Sequence, residues 1–503
     1  MKKTLLLLAS VVSCLSLSAQ TITLKSDMPK GGTVRLYIAA KGKTVNIDTG
    51  DGTPKAYAVS DQVDKPTLLS LKASADKPNV RIEGDVVGME CSSMMLTDID
   101  CSEATSLLIL KCDINRLTAL DVSHNTHLAR LYCNDNLLST LQLGTADNLL
   151  LLHCQENKLT SLNLAGAAKL IELGCYRNQL TALDVTKCVK LVTLNVSRNK
   201  IKAIDLQNCP LLEQLSCEKC KLKELNIANN PKLTHLYCGE NALTELDVTR
   251  QTQLKELNCK LNELPTLNLA NNTALQELYC FSNKLTALNL DAQPALTTLS
   301  CGDNAIATLN LTHNKQLQEV SLSYNRLTDL QMTNLPALVA IGCDNNLLTT
   351  LSAKGCTALQ MMTIDHNKLS GDAALSLVQS LEQAPAEGGT LVYYNAAENP
   401  EKDDNVLTDQ AITVAKQKGW RILNGEDEIT TGMKQIAHEA AFTVEDGVIT
   451  FTSGIRQWNI ATPDGATVCR GTGSKAQLPL EKGIYIVSYG DGMHTHTAKL
   501  MVR

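Results

Sequence analysis

Between residues 107 and 370 the apolar positions recur on a fixed step of 21 residues. Leucine stands at 107 and at each period after it up to 359, and three positions on comes Leu, Val, Ile or Met. Two further on is a slot held by Cys112, Cys133, Cys154, Cys175, Cys217, Cys238, Cys259, Cys280, Cys301 and Cys343. Val196, Leu322 and Ile364 fill the same slot where the thiol is missing, so the position asks for a small or medium apolar side chain and not for sulfur chemistry. Three residues past the slot stands asparagine: Asn115, Asn136, Asn157, Asn178, Asn199, Asn241, Asn262, Asn283, Asn304, Asn325, Asn346 and Asn367, with Cys220 as the one exception.

The unit L-x-x-L-x-C-x-x-N-x-L-x-x-L-x-V/L predicts a short strand whose alternate residues point inward, followed by a turn and a second apolar stretch closing a narrow coil. One such coil cannot bury its own apolar face; stacked coils can, and their strands then pair into one parallel sheet. A backbone turning inward leaves amide and carbonyl groups without partners, which a column of stacked asparagines supplies. Thirteen strands at about 4.8 Å predict a sheet roughly 60 Å long. The pattern is that of a leucine-rich-repeat solenoid with cysteine in the third apolar slot. Buried free thiols are expected; disulfides along the ladder are the alternative, though side chains in parallel register present poor torsions. Cys217 and Cys220 form one C-x-x-C, but each is also a ladder position, so packing is favoured over zinc or redox chemistry.

The units LTALDVTKCVKLVTLNVSRNK and LTELDVTRQTQLKELNCKLNE resemble the 21-residue cysteine-ladder repeats of the internalin J group of bacterial surface proteins. The resemblance spans residues 86–370. It implies a surface protein that binds host or bacterial partners and has no enzymatic activity.

The flanks lose the period. Residues 1–19 carry Lys2 and Lys3, an apolar run and small residues up to Ala19, the layout of a signal peptide; a lipoprotein reading with Cys14 as the lipidated residue is the alternative. Residues 20–85, with TVRLYI, KTVNID and NVRIEG between glycine and proline turns, predict an N-terminal β-rich cap. Within it, Asp48 to Gly52 suits a Gly-rich turn better than a calcium site. Residues 371–424 predict an α/β cap with helices in AALSLVQSLEQA and LTDQAITVAKQKG and strands in TLVYYN and WRIL. A polar stretch at 425–440 reads as a linker, and 441–503 as a β-sandwich of short strands. Asp464 to Val468, Gly483 to Val487 and Lys499 to Arg503 resemble the C-terminal sorting domain of type IX secretion cargo, with Gly483, Tyr485, Val487, Lys499 and Val502 carrying the pattern. That resemblance implies export across the outer membrane, removal of the domain and attachment to the cell surface. The secretion and attachment machinery would then be partners, and membrane association would run only through a surface anchor.

Side chains beside the inward ones face outward, onto what is expected to be the concave side. All Tyr and Phe between 107 and 370 fall in those slots: Tyr132, Tyr176, Tyr237, Tyr279, Phe281 and Tyr324, with His153 and His235 beside them. They are the candidate partner-binding residues, since exposed aromatics give large contact area at low entropic cost; strand propensity alone is the competing account. The same columns hold twelve acidic residues against six basic ones. A formal net charge of −6 offers no field for a phosphate backbone, so nucleic acid is excluded. No catalytic constellation, cofactor motif or metal-ligand spacing stands out, and His494 and His496 lack a third ligand. The expected function is that of an exported adhesin gripping a protein or glycan on that face; a self-associating structural protein of the cell surface is the alternative.

Overall fold

The computed structural model describes residues 20–386, 388–394 and 404–424, then the strand segments 442–445, 448–451, 457–462, 467–471, 475–477, 483–490 and 495–502. The expected signal peptide with Cys14, the linker, Asp464 to Ala466 and His494 lie outside the described residues. The chain divides into two compact units, one running to Ala358 and one from Leu359.

In the first unit, strands Thr21–Ser26, Thr44–Asp48, Lys55–Ala58, Asn79–Glu83 and Leu96–Asp100 make one antiparallel sheet. Thr33–Ala40 pairs antiparallel with Thr67–Lys72 on one side and with Val86–Glu90 on the other. Alternate residues of these strands, such as Val34, Leu36 and Ile38, are fully buried, as a half-covered strand requires. Val86–Glu90 then pairs parallel with Ile109–Lys111, the first of the repeat strands. A cap strand thus closes the edge that the ladder would otherwise expose. The Asp48 carboxylate accepts backbone N–H groups from Gly50, Asp51 and Gly52 at 2.8–3.1 Å, and Gly50 and Gly52 both have positive φ.

From Ile109–Lys111 onward each coil adds one three-residue strand, and neighbouring strands pair in parallel at a constant offset of one period through Ala340–Gly342. The centre of every strand is buried Leu, Val or Ile, and the slot cysteines that follow are at 0 % exposure. The seventeen described cysteines are free; Cys469 is half-buried and the others are buried. Burial holds the Cys154, Cys259 and Cys301 thiols up to about 12, so thiolate is scarce near neutral pH.

The strand is shorter than expected. It stops at the residue before the slot, and the second residue after the slot has left-handed φ in every coil, among them Ile114, Glu156, Leu261 and Tyr324 at 53–59°. On the far side of the coil, short strands pair only near the two ends of the array, Ala119–Asp121 with Thr140–Gln142 and Thr308–Asn310 with Asp329–Gln331.

In the second unit Met361–Thr363, Gly389–Tyr394 and Trp420–Asn424 pair in parallel. The coils between them are long enough to hold helices Gly371–Ser380 and Asp409–Gln417, N-capped by Ser370 and Thr408. Trp420 is 1 % exposed, with its indole N–H donating to Glu382 O; a Cβ on Gly389 would sit 2.6 Å from that ring. Asn405 carries the asparagine column one coil further: its amide donates to Ile364 O and Tyr393 O, and its oxygen accepts from Leu369 N–H. Two antiparallel sheets follow: Phe442–Glu445, Val448–Phe451 and Lys475–Gln477; then Thr467–Gly471, Gln457–Ala461, Gly483–Gly490 and Thr495–Val502. Gly483 pairs with Val502, Tyr485 with Leu500, Ile486 with Lys499 and Val487 with Ala498, which places the five proposed sorting residues on one hairpin.

Candidate binding face

Because the middle residue of each ladder strand is buried, the residues on either side of it project from the sheet. Seven of the eight candidate residues, Tyr132, His153, Tyr176, His235, Tyr237, Tyr279 and Phe281, are half-buried by their neighbours, while Tyr324 is 55 % exposed.

Most of the aromatic residues are committed to partners on the same face. The Tyr132 and His153 rings meet edge to face with centroids 5.2 Å apart, and the Lys111 ammonium lies 5.6 Å from the Tyr132 centroid. His153 Nε2 stands 2.8 Å from Glu172 Oε1, which holds that carboxyl below its ordinary range. A Cβ at Gly174 would come within 3.3 Å of the His153 ring. Three strands beyond Gly174, the Tyr237 hydroxyl donates to Glu256 at 2.7 Å, and further along the Tyr279 hydroxyl donates to Glu277 at 2.9 Å. Burial and these carboxylates raise both phenols. Phe281 lies beneath the Lys260 ammonium at 5.6 Å, and the His235 ring meets the Thr234 hydroxyl.

Sequence reasoning placed both the aromatics and the acidic residues on this face but not the hydrogen bonds that join Tyr237 to Glu256 and Tyr279 to Glu277. For Tyr237 and Glu256 the signal is that the residue before the slot in one coil is 19 positions from the residue three before the slot in the next, a diagonal neighbour on a parallel sheet; for Tyr279 and Glu277 it is a two-residue spacing on one strand.

Charge is uneven along the face. In the coils of Cys112 to Val196, Asp113, Asp135, Glu156 and Glu172 are matched by Lys111, Arg130, Arg177 and Arg198. In the coils of Cys217 to Cys343, Glu218, Glu240, Glu256, Glu277, Asp303, Glu319 and Asp344 face only Lys219 and Lys260. Lys219 is already bound to Glu240 at 3.0 Å, and burial pushes the Glu218 carboxyl up.

Among the described residues no group of three or more His, Cys, Asp or Glu side chains is placed to hold a metal ion. Cys220 takes over part of the asparagine's work, its Sγ 3.2 Å from Val196 O.

With this geometry the chain compares with solved structures. It matches the functional domain of InlJ from Listeria monocytogenes, described as including a cysteine ladder, at 23 % identity and a TM-score of 0.53, over 86 % of this chain and 94 % of that one. The fold is a leucine-rich-repeat solenoid. The chain also matches the leucine-rich-repeat ectodomain of the receptor kinase GASSHO1/SCHENGEN3 from Arabidopsis thaliana, solved in complex with CASPARIAN STRIP INTEGRITY FACTOR 2. That match has 19 % identity and a TM-score of 0.52, over 65 % of this chain and 42 % of that one. No protein-family model and no curated protein matches the chain.

Proposed function

We propose that this leucine-rich-repeat protein is an exported, cell-surface-attached adhesin that grips a protein or glycan partner with the outward face of its ladder sheet, and that it is not an enzyme. The observation that carries the reading is the sheet itself. Its inner side chains are packed, while its outer side chains form a continuous surface of phenols, carboxylates and ammonium groups that no described element covers. The solenoids it resembles fit this use: InlJ comes from a bacterium, and the plant ectodomain was solved with a bound partner.

Export rests on the leader at 1–19 and on the terminal hairpin bearing Gly483, Tyr485, Val487, Lys499 and Val502, read as a type IX sorting domain over 441–503. No described helix is long and apolar enough to cross a membrane. The proposed attachment is through a surface anchor, as the resemblance to type IX cargo implies. The remaining order is a β-rich cap over 20–85, repeats over 86–370, an α/β cap over 371–424 and a linker over 425–440.

The test replaces Tyr237, Tyr279 and Phe281 together with Ser and measures attachment of cells displaying the protein. Lost attachment with an unchanged melting temperature supports the adhesin; unchanged attachment refutes it. Intact mass from washed cells, with a chain beginning near Gln20 and lacking the terminal domain, would support the sorting route. A chain still ending at Arg503 would exclude it.

A further inference from the structure

Resting on the reading of the ladder sheet as a binding face, we propose that its acidic half seats a basic helical segment of a partner protein, whose Lys or Arg side chains meet Glu256, Glu277 and Glu319. Glu256 and Glu277 are register partners on adjacent parallel strands, so two carboxylates stand side by side. Like charges in that relation destabilise a sheet. Neither Glu256 nor Glu277 forms an ion pair among the described residues, and neither does Glu319, two strands further along. The hydroxyls of Tyr237 and Tyr279 hold the first two carboxylates in place without supplying positive charge. A cation from outside would remove the repulsion and keep both phenol contacts.

A second feature of the same face points to the same chemistry. Lys260 already lies over the half-exposed Phe281 ring at 5.6 Å, one ammonium group seated by the surface itself. The pattern of carboxylates decides between a helix and a strand as the visitor. Ladder strands are about 4.8 Å apart, so the three steps from Glu256 to Glu319 cover about 14 Å. A helix laid across the strands advances about 5.4 Å per turn and falls out of step by only about 2 Å over that distance, within reach of a lysine stem. An extended segment, repeating every two residues at about 6.6 Å, drifts by about 5 Å. Thr298 interrupts the column, so a matching helix carries cations on successive turns, skips one and resumes.

The probe is an alanine-based helical peptide with lysines on one face at that spacing, titrated onto the full mature chain at low salt. The control is the same composition with the lysines distributed around the helix. The one-faced peptide is expected to bind about tenfold more tightly than the control. Glu256→Gln with Glu277→Gln is expected to weaken binding about tenfold, and added salt to weaken it further. Should that variant fail to fold, Thr298→Lys serves instead, placing a competing cation in the column and predicting the same loss. Equal binding of the two peptides, or binding unmoved by these substitutions, overturns the proposal, as would a neutral glycan captured on this face with the same affinity by wild type and variant. The outcome is separate from that of the adhesion test. Cells that attach through the face while neither peptide binds would leave the adhesin and remove the helix, and selective peptide binding without attachment would do the reverse.

Discussion

Every coil turns twice out of the plane of its strand, and the two corners are held by different means. At the first corner the carbonyl of the slot residue has no backbone donor. Cys133 O, for example, is met only by the side-chain amides of Asn136 in its own coil and Asn157 in the next. Each asparagine oxygen in turn accepts a backbone N–H of the preceding coil, as Asn157 does from Leu138 at 2.9 Å. The second corner, thirteen residues past the slot, closes on itself. Gln251 N–H donates to Val248 O and Leu254 N–H to Gln251 O, and the same pair of bonds recurs at Ala167 and Cys188 whatever the side chain. Asn230, Gln251, Asn272, Gln293 and Asn314 do form a buried amide column there, but it donates to carbonyls that already have a backbone partner. Their five side-chain oxygens have no partner at all. A side chain that alone satisfies the backbone is held to one residue type; one that only adds to it is replaceable by Ala, Cys or Leu.

The largest break in this contrast comes from Asn178→Ala. It removes one of the two amide donors to each of Cys154 O and Cys175 O, which keep those of Asn157 and Asn199, and it leaves the buried Leu159 N–H without its acceptor. A loss of about 3–5 kcal/mol is expected in denaturant unfolding. The opposite sign is expected at Cys220, where a thiol offers one donor and no strong acceptor, and Ile201 N–H goes without the bond that an asparagine oxygen gives its counterparts. Cys220→Asn should stabilise by about 1 kcal/mol. At the second corner Gln293→Leu copies what Leu335 already does and buries no unpartnered oxygen, so its effect should stay within about 1 kcal/mol in either direction. Should it cost as much as Asn178→Ala, the distinction between the corners collapses.

The two corners also explain what the sequence displays. Inward leucines, slot cysteines and first-corner asparagines are legible because each position tolerates so few side chains that the period stands out. The left-handed residue is invisible, since glycine is the usual mark of positive φ and this position holds Ile114, Glu156, Leu261 or Tyr324. There the coil's closure and the asparagine bonds impose a conformation costing about 1–2 kcal/mol per residue, without selecting an amino acid. The second amide column hides behind its alternation with Ala, Cys and Leu. On the binding face, the slots of Tyr237 and Tyr279 follow from the period; Glu277 meets Tyr279 from two residues away on the same strand, whereas the pairing of Tyr237 with Glu256 depends on diagonal register between neighbouring strands.

A third column sharpens the comparison through pH. Nine residues past the slot an Asp or Asn oxygen accepts the backbone N–H two residues on, making the same turn with either side chain: Asp247 with Thr249, Asn268 with Ala270. Where the residue is Asp and the follower is Thr, the hydroxyl also donates, and the Asp247 and Asp184 carboxyls are held below their usual range, first by that hydroxyl and then by the backbone N–H. A depressed folded pKa means the contribution is present above the unfolded carboxyl pKa of about 3.9 and is lost as pH falls through the lower folded value. Asp247→Asn should therefore leave neutral-pH stability within about 0.5 kcal/mol of wild type, because the turn persists, while flattening the decline in stability below pH about 4. Comparing melting temperatures of the two proteins from neutral to acid pH reads the difference. An unchanged acid slope would mean that the charge on Asp247 adds nothing to a turn that a neutral side-chain oxygen already makes.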